Sequence, residues 1–406
     1  MTLGTFTGQG TVPTGLQPSG TAAEISGIVA SRHNPGVLWV HDDSANAAQL
    51  IALRSNGALA RQYSLAGVAN RDWEDIAIGP GPIAGRDYLY IADTGNNALG
   101  YTTFYLLRTP EPDVPIGSGP MLPLPAPDVF PFHYPTGTWN AETLWIDPAD
   151  GSPYVLTKVN SSTCRLFRYP LPLDASADKA LVLVATLTNM PVLFTGGAIS
   201  ADGRWIFART NSSILAWPRP AGTAFAAAFG GTPCTFAAAQ GQAEAIAVAA
   251  DGASIWAVSE GSGATLWRAP AGWPNGAPVW YAFGSGLAGG PGVPALGATA
   301  APRLGGPGFD VAAWQLPPGG DGVFLVSLSG FDDGQAPWMG GWLHAGVDLV
   351  IALTASAGGT ATFGLPPLPD VAAFYGLPIH AQVITIDALA PQGYALSRGL
   401  RLRLDR

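Results

Sequence analysis

Ionisable side chains are scarce in this chain of 406 residues: Asp, Glu, Lys and Arg make up 12%, with 19 basic against 28 acidic groups and a formal net charge of −9. That balance excludes nucleic acid as a partner, because phosphate binding takes clustered Lys and Arg to displace counterions. Histidine is limited to 5 and cysteine to 2, and neither Cys164 nor Cys234 stands at a metal-ligand spacing, so no zinc site is expected. Whether these two cysteines form a disulfide stays open, two buried thiols being the other reading. No apolar run reaches about 18 residues, so no membrane span is expected. Nucleophile elbow, phosphate loop and dinucleotide fingerprint are all missing. The start, Met1-Thr-Leu-Gly-Thr-Phe-Thr, has neither the basic nor the apolar segment of a secretory leader. The chain is therefore read as cytosolic, or as an exported protein whose signal peptide is absent from this sequence.

What is abundant points to one architecture. Hydrophobic residues reach 48%, with 53 Gly and 37 Pro, the composition of many short strands separated by turns. A unit of three apolar runs returns five times. Its copies open at Ser26-Gly-Ile-Val-Ala, Glu74-Asp-Ile-Ala-Ile, Glu142-Thr-Leu-Trp-Ile, Thr195-Gly-Gly-Ala-Ile and Glu244-Ala-Ile-Ala-Val. Asn34-Pro-Gly, Asp150-Gly, Asp202-Gly and Asp251-Gly supply the positive φ of the hairpin that follows. Weaker fourth runs come at Arg61-Gln-Tyr-Ser-Leu, Leu181-Val-Leu-Val-Ala-Thr-Leu and Val279-Trp-Tyr-Ala-Phe. Four antiparallel strands at a period of roughly 40 to 60 residues describe a propeller blade. The fold class is all-β: a β-propeller over residues 1–284, with five blades favoured and a sixth possible around Phe130-Pro-Phe-His-Tyr. Residues 1–25 are placed to add a strand to the last blade. A Gly/Pro/Ala-rich linker is expected over 285–308, and a small antiparallel β-sandwich over 309–406 from runs such as Val323-Phe-Leu-Val-Ser-Leu and His380-Ala-Gln-Val-Ile-Thr-Ile-Asp.

In a propeller the first strand of each blade lines the channel, so the five opening residues meet at one mouth. Three of them, Glu74, Glu142 and Glu244, are acids, and the ends of the second strands add Asp42, Asp43, Asp93, Lys158, Arg209 and Glu260. Carboxylates converging in a partly desolvated channel repel unless a proton or a cation intervenes. Oxygen-only ligands favour a hard cation, calcium above all, held by some of Glu74, Asp43, Asp93, Glu142 and Glu244. The alternative is that these acids pair with Lys158, Arg209 and Arg71 or cap neighbouring strands. For catalysis the candidates are Glu74, Glu142 and Glu244 as acid and base, with His41 as a further base.

Two resemblances add to this. Asp72-Trp-Glu-Asp-Ile-Ala and Ala92-Asp-Thr-Gly-Asn-Asn are similar to bacterial propellers related to esterase-like phytases and the gluconolactonase superfamily. Leu365-Pro-Pro-Leu-Pro-Asp, Gly376-Leu-Pro-Ile-His-Ala-Gln-Val-Ile-Thr-Ile-Asp and Leu396-Ser-Arg-Gly-Leu-Arg-Leu-Arg-Leu resemble a C-terminal module of exported planctomycete and myxobacterial proteins. That second resemblance implies export and surface attachment but no chemistry. The leading expectation is a secreted or cell-surface, calcium-binding propeller that takes a small molecule or a polysaccharide or other surface polymer at its upper mouth. The runner-up is a metal-dependent or carboxylate-based hydrolase of an ester, lactone, phosphoester or glycoside; a scaffold without a site is the third reading.

Overall fold

The computed structural model describes all residues except 13–23, 35, 45, 84–85, 116–118, 221, 239–242, 251, 253, 273–279, 284–285, 299–303, 307, 329–335, 340, 372–373, 375–376 and 405–406. Of the sequence-derived features, the turn residue Asp251, part of the 285–308 segment and most of residues 1–25 beyond Val12 lie outside the described residues.

Five antiparallel sheets form the first unit, and each begins with one of the five repeated openings. Blade one is built from Ile25–Ala30, Val37–Asp42, Gln49–Arg54 and Leu59–Leu65, with Leu122–Leu124 added in parallel at its edge. Blade two runs Trp73–Pro80, Asp87–Asp93, Phe104–Pro110 and Asp128–His133, with Lys179–Ala180 beside it. Blade three is Ala141–Ile146, Pro153–Thr157, Thr163–Arg168 and Val182–Thr188; blade four is Phe194–Ile199, Trp205–Thr210, Ser213–Pro218 and Cys234–Ala237. Blade five takes Ala243–Val248, Ser254–Ser259 and Thr265–Gly272 from its own repeat, and its outer edge from Thr2–Leu3 and Thr7–Thr11. The first strands pack in order around the ring, and Ala243–Val248 returns to Ile25–Ala30. The Phe130-Pro-Phe-His-Tyr run is the fourth strand of blade two, not a sixth blade.

Local chemistry explains the hairpins. Gly36, Gly151, Gly203 and Gly252 all hold φ between 66 and 75°, at the same turn in four blades. In two of those turns the preceding Asp side chain accepts an amide two residues on, Ser152 N at 2.9 Å from Asp150 Oδ1 and Arg204 N at 3.1 Å from Asp202 Oδ1. Between blades the core is aromatic: Trp145, with its indole N–H donating to the Phe207 carbonyl at 2.9 Å, packs against Phe225 and Phe229. Trp39 is likewise completely buried, against Tyr63. Cys164 and Cys234 are both free thiols, so the disulfide reading is set aside, and burial pushes the Cys164 thiol up to about 11.

The second unit is mainly Gly272–Arg406, so the boundary falls earlier than residue 284. Trp280–Phe283, expected as the outer strand of the last blade, pairs instead with Gly399–Arg403. The reason is competition for an edge: Thr7–Thr11 already occupies the outer side of Thr265–Gly272. Ala295–Ala298, inside the expected linker, is a strand paired with Phe309–Trp314. A sheet containing Trp280–Phe283, Gly399–Arg403, Pro378–Ile386, Asp321–Ser327 and Leu349–Thr354 shares one core with the three-stranded sheet Ala295–Ala298, Phe309–Trp314 and Ala361–Leu365. Phe309, Val311, Phe324, Val383 and Leu400 lie in that core, which makes the unit a β-sandwich.

Candidate functional site

Every channel-lining strand carries a β-bulge at the same place. Its register with the second strand skips one residue between Ile25 and Gly27, Trp73 and Asp75, Ala141 and Thr143, Phe194 and Gly196, and Ala243 and Ala245. The skipped residues are Ser26, Glu74, Glu142, Thr195 and Glu244, the five openings of the repeat. A bulge leaves its extra residue out of the ladder and re-aims its side chain, so the fold turns five equivalent positions toward one mouth.

The acids there feel one another. Glu74 is 4% exposed, and its pKa is raised well above the carboxylate range by burial and by Glu142, Asp43 and Asp72. Its Oε2 accepts the Ser26 hydroxyl at 3.3 Å. Glu142 is equally buried; its Oε1 accepts Asn140 Nδ2 at 3.0 Å and its Oε2 accepts the Lys158 ammonium. Burial raises Glu142, and Lys158 offsets part of that. Glu244 is pushed up to about 7 by burial, against the pull of Lys158 and with the push of Glu142 and Glu260. Asp43, Asp72 and Glu260 are raised as well, each chiefly by burial, and Asp43 adds to the shift of the other two. Asp43, Asp72 and Glu74 each bring a carboxylate oxygen to within 4.8 Å of the other two.

Other sequence candidates are placed elsewhere. Asp93 is tied to Arg71, Nε to Oδ1 at 3.2 Å, and the guanidinium in turn lies 4.2 Å over the Tyr101 ring. It anchors the loop after its strand rather than joining the carboxylate trio, and burial lifts it to about 6 despite the arginine. His41 is completely buried, with Nδ1 against the Asp42 carbonyl at 3.0 Å and its ring edge-on to Trp73. Burial pulls it down to about 4, so it is neutral and sealed from any ligand; the expected role as a base does not survive this placement. Arg209 is also fully buried and donates to the Ala245 carbonyl at 3.0 Å.

Two acids at or beside the cluster escaped the sequence reading. Asp72 stands two residues before Glu74, which in extended chain puts both on one side; that signal was available. Asp75 had none, because an acid inside a core strand breaks the alternation that would reveal it. Gly95 completes the cup: a Cβ there would lie 2.3 Å from Glu74 Oε1 and 2.3 Å from Asp72 Cγ. Asn140 binds the rim together, accepting Asn96 N at 2.7 Å and donating to Asn97 Oδ1 at 3.0 Å while it holds Glu142.

Among the described residues, five sheets of four or five strands close into a ring with an acidic mouth, which defines a β-propeller. No family model matches the chain, and no curated protein matches it. Among solved structures it is similar to the β-propeller domain of Myceliophteria thermophila Cps50 (Swd1), at 14% identity and a TM-score of 0.33, over 63% of this chain and 99% of that one. It is similar also to a gluconolactonase from Xanthomonas campestris, at 12% identity and a TM-score of 0.34, over 64% and 97% of the two chains. The fold assignment rests on the five sheets themselves. Among the described residues no helix is long and apolar enough to cross a membrane.

The raised Glu244 makes stability depend on pH in a stated direction. Its folded pKa of about 7 lies above the ordinary 4.5, so its contribution is fully present below pH 4.5 and is lost as pH rises through about 7. In the presence of a chelator, Glu244→Gln is expected to cancel this slope, melting close to wild type at pH 5 and above it at pH 8. Parallel melting-temperature profiles of the two proteins over that range would contradict the placement of Glu244.

Proposed function

We propose that the protein is an exported, ligand-binding propeller whose upper mouth takes a hard divalent cation, calcium foremost, on Asp43, Asp72 and Glu74. The observation that supports it most is the trio of carboxylate oxygens lying within 4.8 Å of one another, while the lysine of the mouth is engaged by Glu142. Three like charges at that spacing repel, and a divalent ion bound by oxygen ligands relieves the repulsion where one proton relieves only part. The ligand set differs from the sequence expectation in taking Asp72 and leaving out Asp93. Glu142, Glu244 and Asn140 then face a small polar molecule or a polysaccharide held over the ion. The C-terminal sandwich serves attachment, a reading that rests on the resemblance of its last strands to modules of exported proteins.

Terbium luminescence sensitised by Trp73, followed by calcium competition, tests the cation. Glu74→Gln is expected to weaken binding by about tenfold or more, the loss of one charged ligand being worth at least about 1.4 kcal/mol. Gly95→Ala is expected to weaken it comparably without removing any ligand, because its methyl group takes the space between Glu74 and Asp72. Its melting temperature should stay near wild type, since only the ends of two flexible side chains must move. Terbium emission that is unchanged in both variants sinks the reading.

The second reading, a hydrolase, is supported by Glu244, whose carboxyl at about 7 is poised to give and take a proton near neutral pH. Turnover of any member of a panel of aryl esters, lactones, phosphoesters and glycosides, lost in Glu244→Gln, favours it over simple binding.

A further inference from the structure

One residue further along each first strand, the residues that follow the bulges are Gly27, Asp75, Thr143, Gly196 and Ala245. Four are small, and backbone or a ring crowds the two glycines: a Cβ on Gly27 would lie 2.5 Å from His41 Nε2, and one on Gly196 would lie 2.7 Å from the Glu244 carbonyl oxygen. Asp75 alone has an ionisable side chain, and it is completely buried. Its Oδ2 accepts Leu144 N at 2.8 Å and Gly197 N at 2.9 Å, and its Oδ1 accepts Ile76 N at 2.9 Å. Ile76, Leu144 and Gly197 stand at the same repeat position, two residues past the bulges at Glu74, Glu142 and Thr195. Three blades thus direct equivalent amides at one carboxylate.

We propose that these converging amides form a binding site for a small carboxyl group among the first strands of the propeller, filled in the native protein by the side chain of Asp75. The site is a nest of backbone dipoles made by the symmetry of the fold, since a repeat that aims one amide inward aims its equivalents too. The occupant does two jobs. It joins blade two to blades three and four, and it fixes the chain immediately after Glu74, which makes Asp75 a positioning residue for the mouth.

The test is chemical rescue. Asp75→Gly removes a group whose isostere is acetate, and glycine already occupies the equivalent place in two other blades. Without added anion the variant leaves three buried amides unpaired and is expected to melt about 10 °C below wild type. Acetate should raise its melting temperature in a saturable way and leave wild type unmoved, whereas chloride at equal ionic strength and the bulkier benzoate should not. The melting readout needs no metal, so it stands apart from the cation reading. Recovery of terbium affinity in acetate then reports the positioning of Glu74, which loss of packing alone would not restore. If the variant does not fold unaided, the yield of folded protein on refolding with and without acetate is the readout. Absence of an acetate effect in the readout that applies, or an equal shift in wild type, overturns the proposal.

Discussion

Lys158→Met is expected to destabilise the protein by about 3 kcal/mol at pH 8 and by far less at pH 5, measured by urea unfolding in chelator. The ammonium donates to Glu142, whose side chain is 3% exposed, while that of Lys158 is 20% exposed. Removing one partner of a buried pair leaves the other charge uncompensated, at a cost of about 3–5 kcal/mol; partial exposure puts this case at the lower end. The same lysine lowers Glu74, Glu244, Asp43 and Glu260, so its loss is felt across the mouth. Burial pulls Lys158 down, but the Glu142 charge and hydrogen bond outweigh it and the ammonium is raised overall, which keeps it charged at both pH values. The pH dependence therefore comes from the acids. Glu142, Glu74 and Glu244 already have folded pKa values above their unfolded ones, and loss of the lysine moves them further up. Their favourable contribution is present below the unfolded values and disappears as pH rises through the folded ones. Falling pH favours their protonated forms, so the variant approaches wild type; rising pH favours ionisation, and the missing positive charge is then felt. If the mouth binds a divalent cation as proposed, calcium at saturation should recover part of the loss at pH 8, because the ion replaces the missing positive charge. An equal loss at both pH values would show that the lysine contributes packing rather than charge.

The mouth was readable in the sequence because a repeat transfers position from one blade to the next. Aligning the copies on Gly36, Gly151, Gly203 and Gly252 brought Ser26, Glu74, Glu142, Thr195 and Glu244 into register, and the structure puts a bulge at each. A bulge itself has no residue signature here, since its extra residue is Ser, Glu or Thr; only the alignment picked the position out. Pairing across large sequence distances was harder to read. Trp280–Phe283 has strand composition, yet composition does not choose between two open edges, and the N-terminal Thr7–Thr11 holds the one expected for it. Asp93 and Asp72 show the same limit at the site. Both are acids beside a buried strand, and only the position of Arg71 decides that Asp93 is engaged in an ion pair while Asp72 turns to Glu74. Asp75 was invisible for a different reason: its partners are backbone amides, which every sequence has.

Deleting Met1–Val12 is expected to lower the stability of the propeller unit by about 5 kcal/mol, a large part of the 5–15 kcal/mol typical of a folded domain. Thr7–Thr11 pairs with Thr265–Gly272 from Thr7 opposite Arg268 to Thr11 opposite Thr265, and Gly4 N and Val12 N each donate at 2.8 Å to the carbonyls of Pro270 and Ala264. Several backbone bonds at about 0.5–1.5 kcal/mol each, with Val12 worth about 2 kcal/mol as a buried side chain, reach that sum. Closure by a distant strand differs from a hairpin, because it joins the last blade to the first. Gly10 is where that happens: a Cβ there would lie 1.9 Å from the Asn56 carbonyl oxygen, in the turn before the Leu59–Leu65 strand of blade one. Gly10→Ala therefore isolates closure without deleting anything. Backbone blocks the methyl group, so the strand must lift from blade one, and a fall in melting temperature of several degrees is expected, short of the full deletion. The mouth should register it too. Glu244 and Ser26 sit on first strands that are neighbours only because the ring closes, so a lifted strand loosens the bulges that aim them, and terbium affinity should drop together with stability. A Gly10→Ala protein that melts with wild type would mean that the first strands hold the ring closed by themselves, and that the N-terminal strand is an ornament on blade five.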